Sequence, residues 1–167
     1  MSEKQMSFRV RMIQRGLGVL LALPLLLLLA GAGAADSTAR LGAQDVLKAI
    51  VAGRGKVVLI TFFATWCQPC LMEMPGLKDI RTEFSESDVM LMSLSMDEDP
   101  EMLESYLKTA GLNFPVYLTK PDVSRIFEVR GIPKLLVYNR QGRMVRNHDG
   151  YMSAEDLRQD IQALLAQ

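Results

Sequence analysis

After residue 35 the hydrophobic pattern alternates between helical stripes and short unbroken apolar runs. Residues 43–52 place Val46, Leu47, Ile50 and Val51 on one face, which predicts a helix ending near Gly53 and Gly55. Val57-Val58-Leu59-Ile60-Thr61-Phe62-Phe63 is a continuous β-branched and aromatic run, the pattern of a strand buried on both faces. A turn carrying Trp66-Cys67-Gln68-Pro69-Cys70 follows, and then a helix to about Phe84 in which Pro75 should produce a kink. Val89–Met96 reads as a second apolar strand, and Pro100 opens a helix running to Thr109. Asn113–Leu118 predicts a short strand and Asp122–Val129 a short helix. Leu135–Tyr138, the turn at Gln141-Gly142 and Met144–Asn147 predict a hairpin. The last element is an amphipathic helix from Ser153 to Leu165, capped by Ser153 with Glu155 and Asp156 in its first turn. The order α-β-α-β-α-β-α-β-β-α predicts an α/β domain, a mixed sheet with helices on both faces.

The first 35 residues differ in kind. A basic stretch ending at Arg15 precedes 20 uncharged residues from Gly16 to Ala35, with a Leu25–Leu29 core and small residues at Ala32-Gly33-Ala34-Ala35. Basic, apolar and small-residue segments in that order form an export signal, with cleavage expected after Ala34 or Ala35. The run is also close to the ~20 residues that span a bilayer, so an uncleaved anchor is the alternative. Positive charge ahead of the run directs the body to the exported side in either case. The chain thus divides into a signal or anchor, 1–35, and one domain, 36–167; 167 residues leave room for little more. The net charge of zero hides an asymmetry. Of 19 basic and 19 acidic side chains, residues 1–35 take four and one, leaving the domain acidic by three. Such a body offers no electrostatic footprint for nucleic acid.

Two cysteines, spaced Cys-x-x-Cys, are all the chain has. A bridge over two residues closes too short a loop to stabilise much through chain entropy, which points to chemistry instead. On a helix N-terminus, unpaired N–H groups and the helix dipole favour a thiolate at Cys67, the species that attacks a disulfide. Cys70 would then resolve the mixed disulfide. Structural zinc wants four ligands, and neither a second pair nor a second histidine beside His148 exists, so no metal and no cofactor is expected. His148 itself is given no role.

Phe62-Phe63-Ala64-Thr65-Trp66-Cys67-Gln68-Pro69-Cys70 resembles the active site of the thioredoxin superfamily. Gly131-Ile132-Pro133 resembles that family's loop with a cis proline opposite the active site, and Pro75 falls at its helix-kinking proline. The resemblance runs from about Ala43 to the C-terminus. The export signal, Glu73-Met74-Pro75 and the extra segment 97–118 are similar to the periplasmic or membrane-associated branch, which includes the reductases of cytochrome c maturation. The resemblance implies a thioredoxin-like fold and substrate contacts from Trp66, Ile132 and Pro133. Pro133 would be cis and would present the backbone of Ile132 to an extended client segment. Core filling for Trp66 and an ordinary trans bond for Pro133 are the plainer readings.

Two departures qualify the resemblance. Where thioredoxin carries a buried Asp, this chain has Thr61, which cannot titrate. Glu73, three residues after Cys70, stands where the related reductases carry a proton-handling carboxylate; a solvated helix-surface glutamate is the competing reading. The second departure is Lys134, where relatives place a small hydroxyl residue. It could add positive potential near Cys67 or select acidic partners, but it is expected to point to solvent.

The resulting expectation is an exported, monomeric thiol–disulfide oxidoreductase that reduces client-protein disulfides and is kept reduced by a membrane donor. Gln68-Pro69 between the cysteines resembles reductases more than the His-containing pairs of strong oxidants. An oxidase or isomerase is the alternative within the class. A copper-binding module of the same fold is the alternative outside it, since soft thiolates suit Cu(I). The methionines Met72, Met74, Met90, Met92 and Met96 are expected mainly to fill the core.

Overall fold

The unbroken apolar run at 57–63 becomes the centre of the molecule. In the computed structural model, which describes residues 40–167, every residue of β2 (Val57–Phe63) is buried. The expected signal or anchor, with its expected cleavage site, lies outside the described residues. Among the described residues, no helix is long and apolar enough to cross a membrane.

β2 pairs parallel with β3 (Val89–Ser95), in register from Val57↔Val89 to Phe63↔Ser95, and antiparallel with β5 (Lys134–Tyr138). β3 pairs parallel with β4 (Val116–Thr119), and β5 pairs antiparallel with β6 (Met144–Asp149). A two-residue strand, β1 (Arg40–Leu41), adds a parallel edge beside β4, giving the order β1-β4-β3-β2-β5-β6. The fold is the mixed sheet that the element order implied, and it agrees with the thioredoxin-like fold that the resemblance implied. β1 is an addition with no signature of its own: two residues become a strand only because the edge of β4 is there to pair with them.

Alternation along β2 sorts the core into two layers. Val57, Leu59 and Phe63 face one cluster with Met74, Leu77 and Ile80 of α2 (Gln68–Glu83), Leu103 of α3 (Pro100–Ala110) and Leu157 and Ile161 of α5 (Ala154–Leu165). Val58, Ile60 and Phe62 face the other cluster, with Val46 and Ile50 of α1 (Ala43–Ala52) and Val123 of α4 (Pro121–Ile126). Phe127 closes that second layer against Phe62, ring centroids 6.0 Å apart.

Three expectations needed adjustment. Leu47 and Val51 are exposed, because α1 buries the stripe of Ala43, Val46 and Ile50 and turns the next positions outward. α4 ends at Ile126 rather than Val129, since Glu128 takes a left-handed conformation (φ 50°) that stops the helix. The strand expected over Asn113–Leu118 begins only at Val116, beside Ser93, and continues to Thr119. The hairpin turn is where expected, with Gly142 at φ 77° and its N–H donating to the Asn139 carbonyl at 2.8 Å.

Candidate active site

The cysteine pair sits where parallel strand β2 runs out into the first turn of α2. Cys67 is the N-cap (φ −92°, ψ 98°), and its sulfur accepts the backbone N–H of Cys70 at 3.3 Å. Pro69 lies in the first turn, where its missing N–H costs no helical bond. The two cysteines are joined as a disulfide, Cα atoms 5.3 Å apart. Cys67 retains 6% exposure and Cys70 none, so the first sulfur is the more accessible, although it is more covered than a bare cap position suggested. α2 continues through Pro75, which leaves the Leu71 carbonyl without its ladder donor.

Trp66 is 66% exposed next to the pair, which rules out core filling. Met72, one of five methionines expected mainly to fill the core, is also exposed. The Ile132–Pro133 peptide bond is cis. Ile132 packs against the cluster that contains both cysteines, and the Pro133 carbonyl accepts the N–H of Gly150 at 2.8 Å.

Glu73 is not a solvated surface residue. It is 8% exposed, and its Oε1 accepts the backbone N–H of Met152 at 2.7 Å. Burial pushes its carboxyl up from 4.5 to about 7, opposed by the Met152 N–H and by the nearby charge of His148. His148, to which the sequence pattern assigns no role, therefore bears on the site; its Nε2 lies 3.2 Å from the Tyr151 carbonyl. Glu73 lines a cavity of about 50 Å³ with Met72, Leu77, Leu135 and Tyr151.

Lys134 is the clearest correction. Its side chain is 2% exposed instead of solvated, and its ammonium donates to Asn147 Oδ1 at 2.5 Å and Asp149 Oδ1 at 2.8 Å. In the β5–β6 pairing Lys134 stands opposite Asp149 and two positions from Asn147, on the same face of the sheet, so the ammonium finds oxygen where solvent was expected. That contact holds the Asp149 carboxyl below its usual range.

Sequence reasoning missed Asp97. This buried carboxylate accepts the Thr65 N–H at 3.1 Å to each oxygen, the Thr65 hydroxyl at 2.8 Å and the Ser95 hydroxyl at 2.6 Å. It thereby fixes the residue two before Cys67. Extending the register Phe63↔Ser95 by two positions brings Thr65 opposite Asp97, a relationship that appears only once the parallel pairing is known. Thr61, in the place of the buried Asp, is fully buried beside Ser93, and neither hydroxyl has a hydrogen-bond partner among the described residues.

A dithiol at a helix N-cap, an accessible tryptophan, a cis proline and a carboxyl that titrates near neutrality can together exchange a disulfide and manage its protons. The chain is similar to known proteins. A family model described as thioredoxin-like matches residues 55–144. The thiol-disulfide oxidoreductase ResA of Geobacillus thermodenitrificans is 27% identical over 112 residues, covering 66% of this chain and 64% of that protein. ResA of Bacillus subtilis is 30% identical over 101 residues, 60% of this chain and 56% of that one. The chain thus spans under two thirds of the length of either relative. A solved thiol:disulfide interchange protein of the thioredoxin family from Chlorobium tepidum aligns with TM-score 0.64 at 26% identity, over 69% of this chain and 83% of that one. With a family model matching more than half its length around this site, the chain belongs to the thioredoxin-like family.

Proposed function

We propose that the protein is an extracytoplasmic thiol–disulfide oxidoreductase that reduces disulfides in client proteins. The observation that carries this reading is the placement of Cys67 at the cap of α2 with the Cys70 N–H directed at its sulfur. In the reduced protein the same N–H and the helix dipole stabilise a Cys67 thiolate.

That thiolate attacks one sulfur of a client disulfide. The Cys67–client bond forms, the client bond breaks, and the second client sulfur leaves as a thiolate that takes a proton. Cys70 then loses its proton and attacks Cys67 Sγ, closing Cys67–Cys70 and releasing the remaining client thiol. The client gains two electrons and the dithiol loses two. Glu73 lies one helical turn beyond Cys70, and its carboxyl titrates near 7, so it is suited to receive that proton. Trp66, Ile132 and Pro133 form the surface on which an extended client segment rests. The spent disulfide is reduced again by a thiol donor of the membrane. Export is supported by the basic and apolar order of residues 1–35, and the reductive direction by Gln68-Pro69 between the cysteines. The relatives named for thiol–disulfide oxidoreduction support the reaction class. Clients in the maturation of cytochromes c or metalloproteins fit that direction.

The test is the equilibrium reduction potential of the domain from residue 36, with insulin reduction measured alongside. A potential near that of thioredoxin, roughly −270 mV, supports a reductase. A value near roughly −120 mV makes the protein a disulfide-inserting oxidant, and a failure to turn over insulin at either potential removes the catalytic reading.

A further inference from the structure

A buried ammonium with two oxygen partners, one residue after the cis proline, is an expensive feature to place at the end of a strand. Lys134 is held by Asn147 and Asp149. Beside this clamp, the Gly150 N–H donates to the Pro133 carbonyl. Two residues further on, Met152 donates its N–H to Glu73 Oε1. The chain from Asp149 to Met152 is therefore anchored at its start by Lys134 and Pro133, and at its end it delivers a backbone donor to the carboxyl beside the cysteine helix.

We propose that the Lys134–Asp149 ion pair is a latch that positions the Met152 N–H on Glu73, and thus couples the cis-proline loop to the carboxyl. Lys134 is a positioning residue, and it acts without touching the sulfurs. The functional weight of the latch rests on the reading of Glu73 as the proton acceptor for Cys70.

The surroundings of Glu73 make the coupling visible. From β6 it is faced by His148 and from the following turn by Tyr151; β5 and α5 contribute the apolar Leu135, Ala154 and Leu157. Its own helix contributes Met72, Gly76 and Leu77, with Cys70 one turn away. With apolar walls on two sides, the Met152 N–H is the main polar support of the carboxylate. If the turn loosens, burial acts unopposed and the proton is held to higher pH.

Asp149→Ala separates this mechanism from simple through-space charge. Removing a neighbouring negative charge would make Glu73 easier to ionise and move its titration midpoint down. Unlatching the turn moves it up. The experiment is a carbon-NMR titration of the Glu73 carboxyl in the oxidised full-length domain, comparing wild type, Asp149→Ala and Lys134→Met. Asp149→Ala leaves the buried Lys134 ammonium with Asn147 as its partner, whereas Lys134→Met removes that charge with a side chain of similar length, so the methionine variant is expected to fold even where the alanine variant does not, and an unchanged midpoint in it also overturns the latch. The latch predicts an upward shift of about half a pH unit or more in Asp149→Ala. An unchanged or lowered midpoint in that variant overturns it. The readout needs no client. If the midpoint rises while Glu73→Gln leaves the pH profile of insulin reduction unchanged, the latch stands and the proton-acceptor reading of Glu73 falls.

Discussion

The backbone N–H of Met152 lies 2.7 Å from Oε1 of Glu73, joining the turn before α5 to the helix that carries the cysteines. One donor does not offset the desolvation of the carboxyl, which titrates near 7 instead of 4.5. Between these values the folded protein binds more protons than the unfolded chain, so the Glu73 contribution to stability is full below about pH 4.5 and is lost as pH rises to about 7. Urea unfolding of the oxidised domain across this window should show wild type losing stability relative to Glu73→Gln as pH rises. Parallel curves for the two proteins would contradict the assignment.

Asp97 fixes the Thr65 backbone and hydroxyl just before the cysteines. Asp97→Ala leaves a part-buried Thr65 N–H and a buried Ser95 hydroxyl without their acceptor, at a cost of about 1–3 kcal/mol. Chemical denaturation should register that loss. Reduction of insulin should fall as well, because the turn presenting Cys67 loses its anchor.

Thr61 makes the opposite prediction. Among the described residues its hydroxyl is buried without a partner, facing Ser93, whose hydroxyl is equally unpaired. Valine keeps the shape and removes the unsatisfied polar group, so Thr61→Val should raise stability by about 1 kcal/mol. A loss of stability in urea unfolding would mean that the hydroxyl has a partner, such as a buried water.

Gly76 marks the close approach of α2 to α5. A Cβ added there would lie 2.8 Å from the Ala154 Cβ and 3.6 Å from its Cα, atoms that cannot swing away. Alanine is the better helix former by roughly 1 kcal/mol, but overpacking costs about 1–3 kcal/mol and should win. Gly76→Ala is therefore expected to lower the thermal midpoint.

Much of this site was legible before the fold was known, and the exceptions share a cause. β2 announced itself through seven consecutive apolar or β-branched residues. The spacing of Cys67 and Cys70 before Pro75 placed the chemistry on a helix start. Lys134, Asp97 and the environment of Glu73 were not legible, because each depends on a partner far along the chain. A lysine reads as solvated until Asn147 and Asp149 are set beside it by β6 pairing. An aspartate in an acidic run reads as loop until parallel register brings it to Thr65. Local pattern reports propensity and face; what satisfies a buried charge is a property of tertiary pairing.

The central claim is that Cys67 attacks and Cys70 resolves. Reduced Cys70→Ser cannot complete the second step, so incubation with a disulfide-bonded client such as insulin should accumulate a mixed disulfide, located at Cys67 by peptide mapping. Reduced Cys67→Ser should form little adduct under the same conditions, since Cys70 is fully covered. Adduct formation through Cys70 at a comparable rate, or none in either variant, would contradict the account.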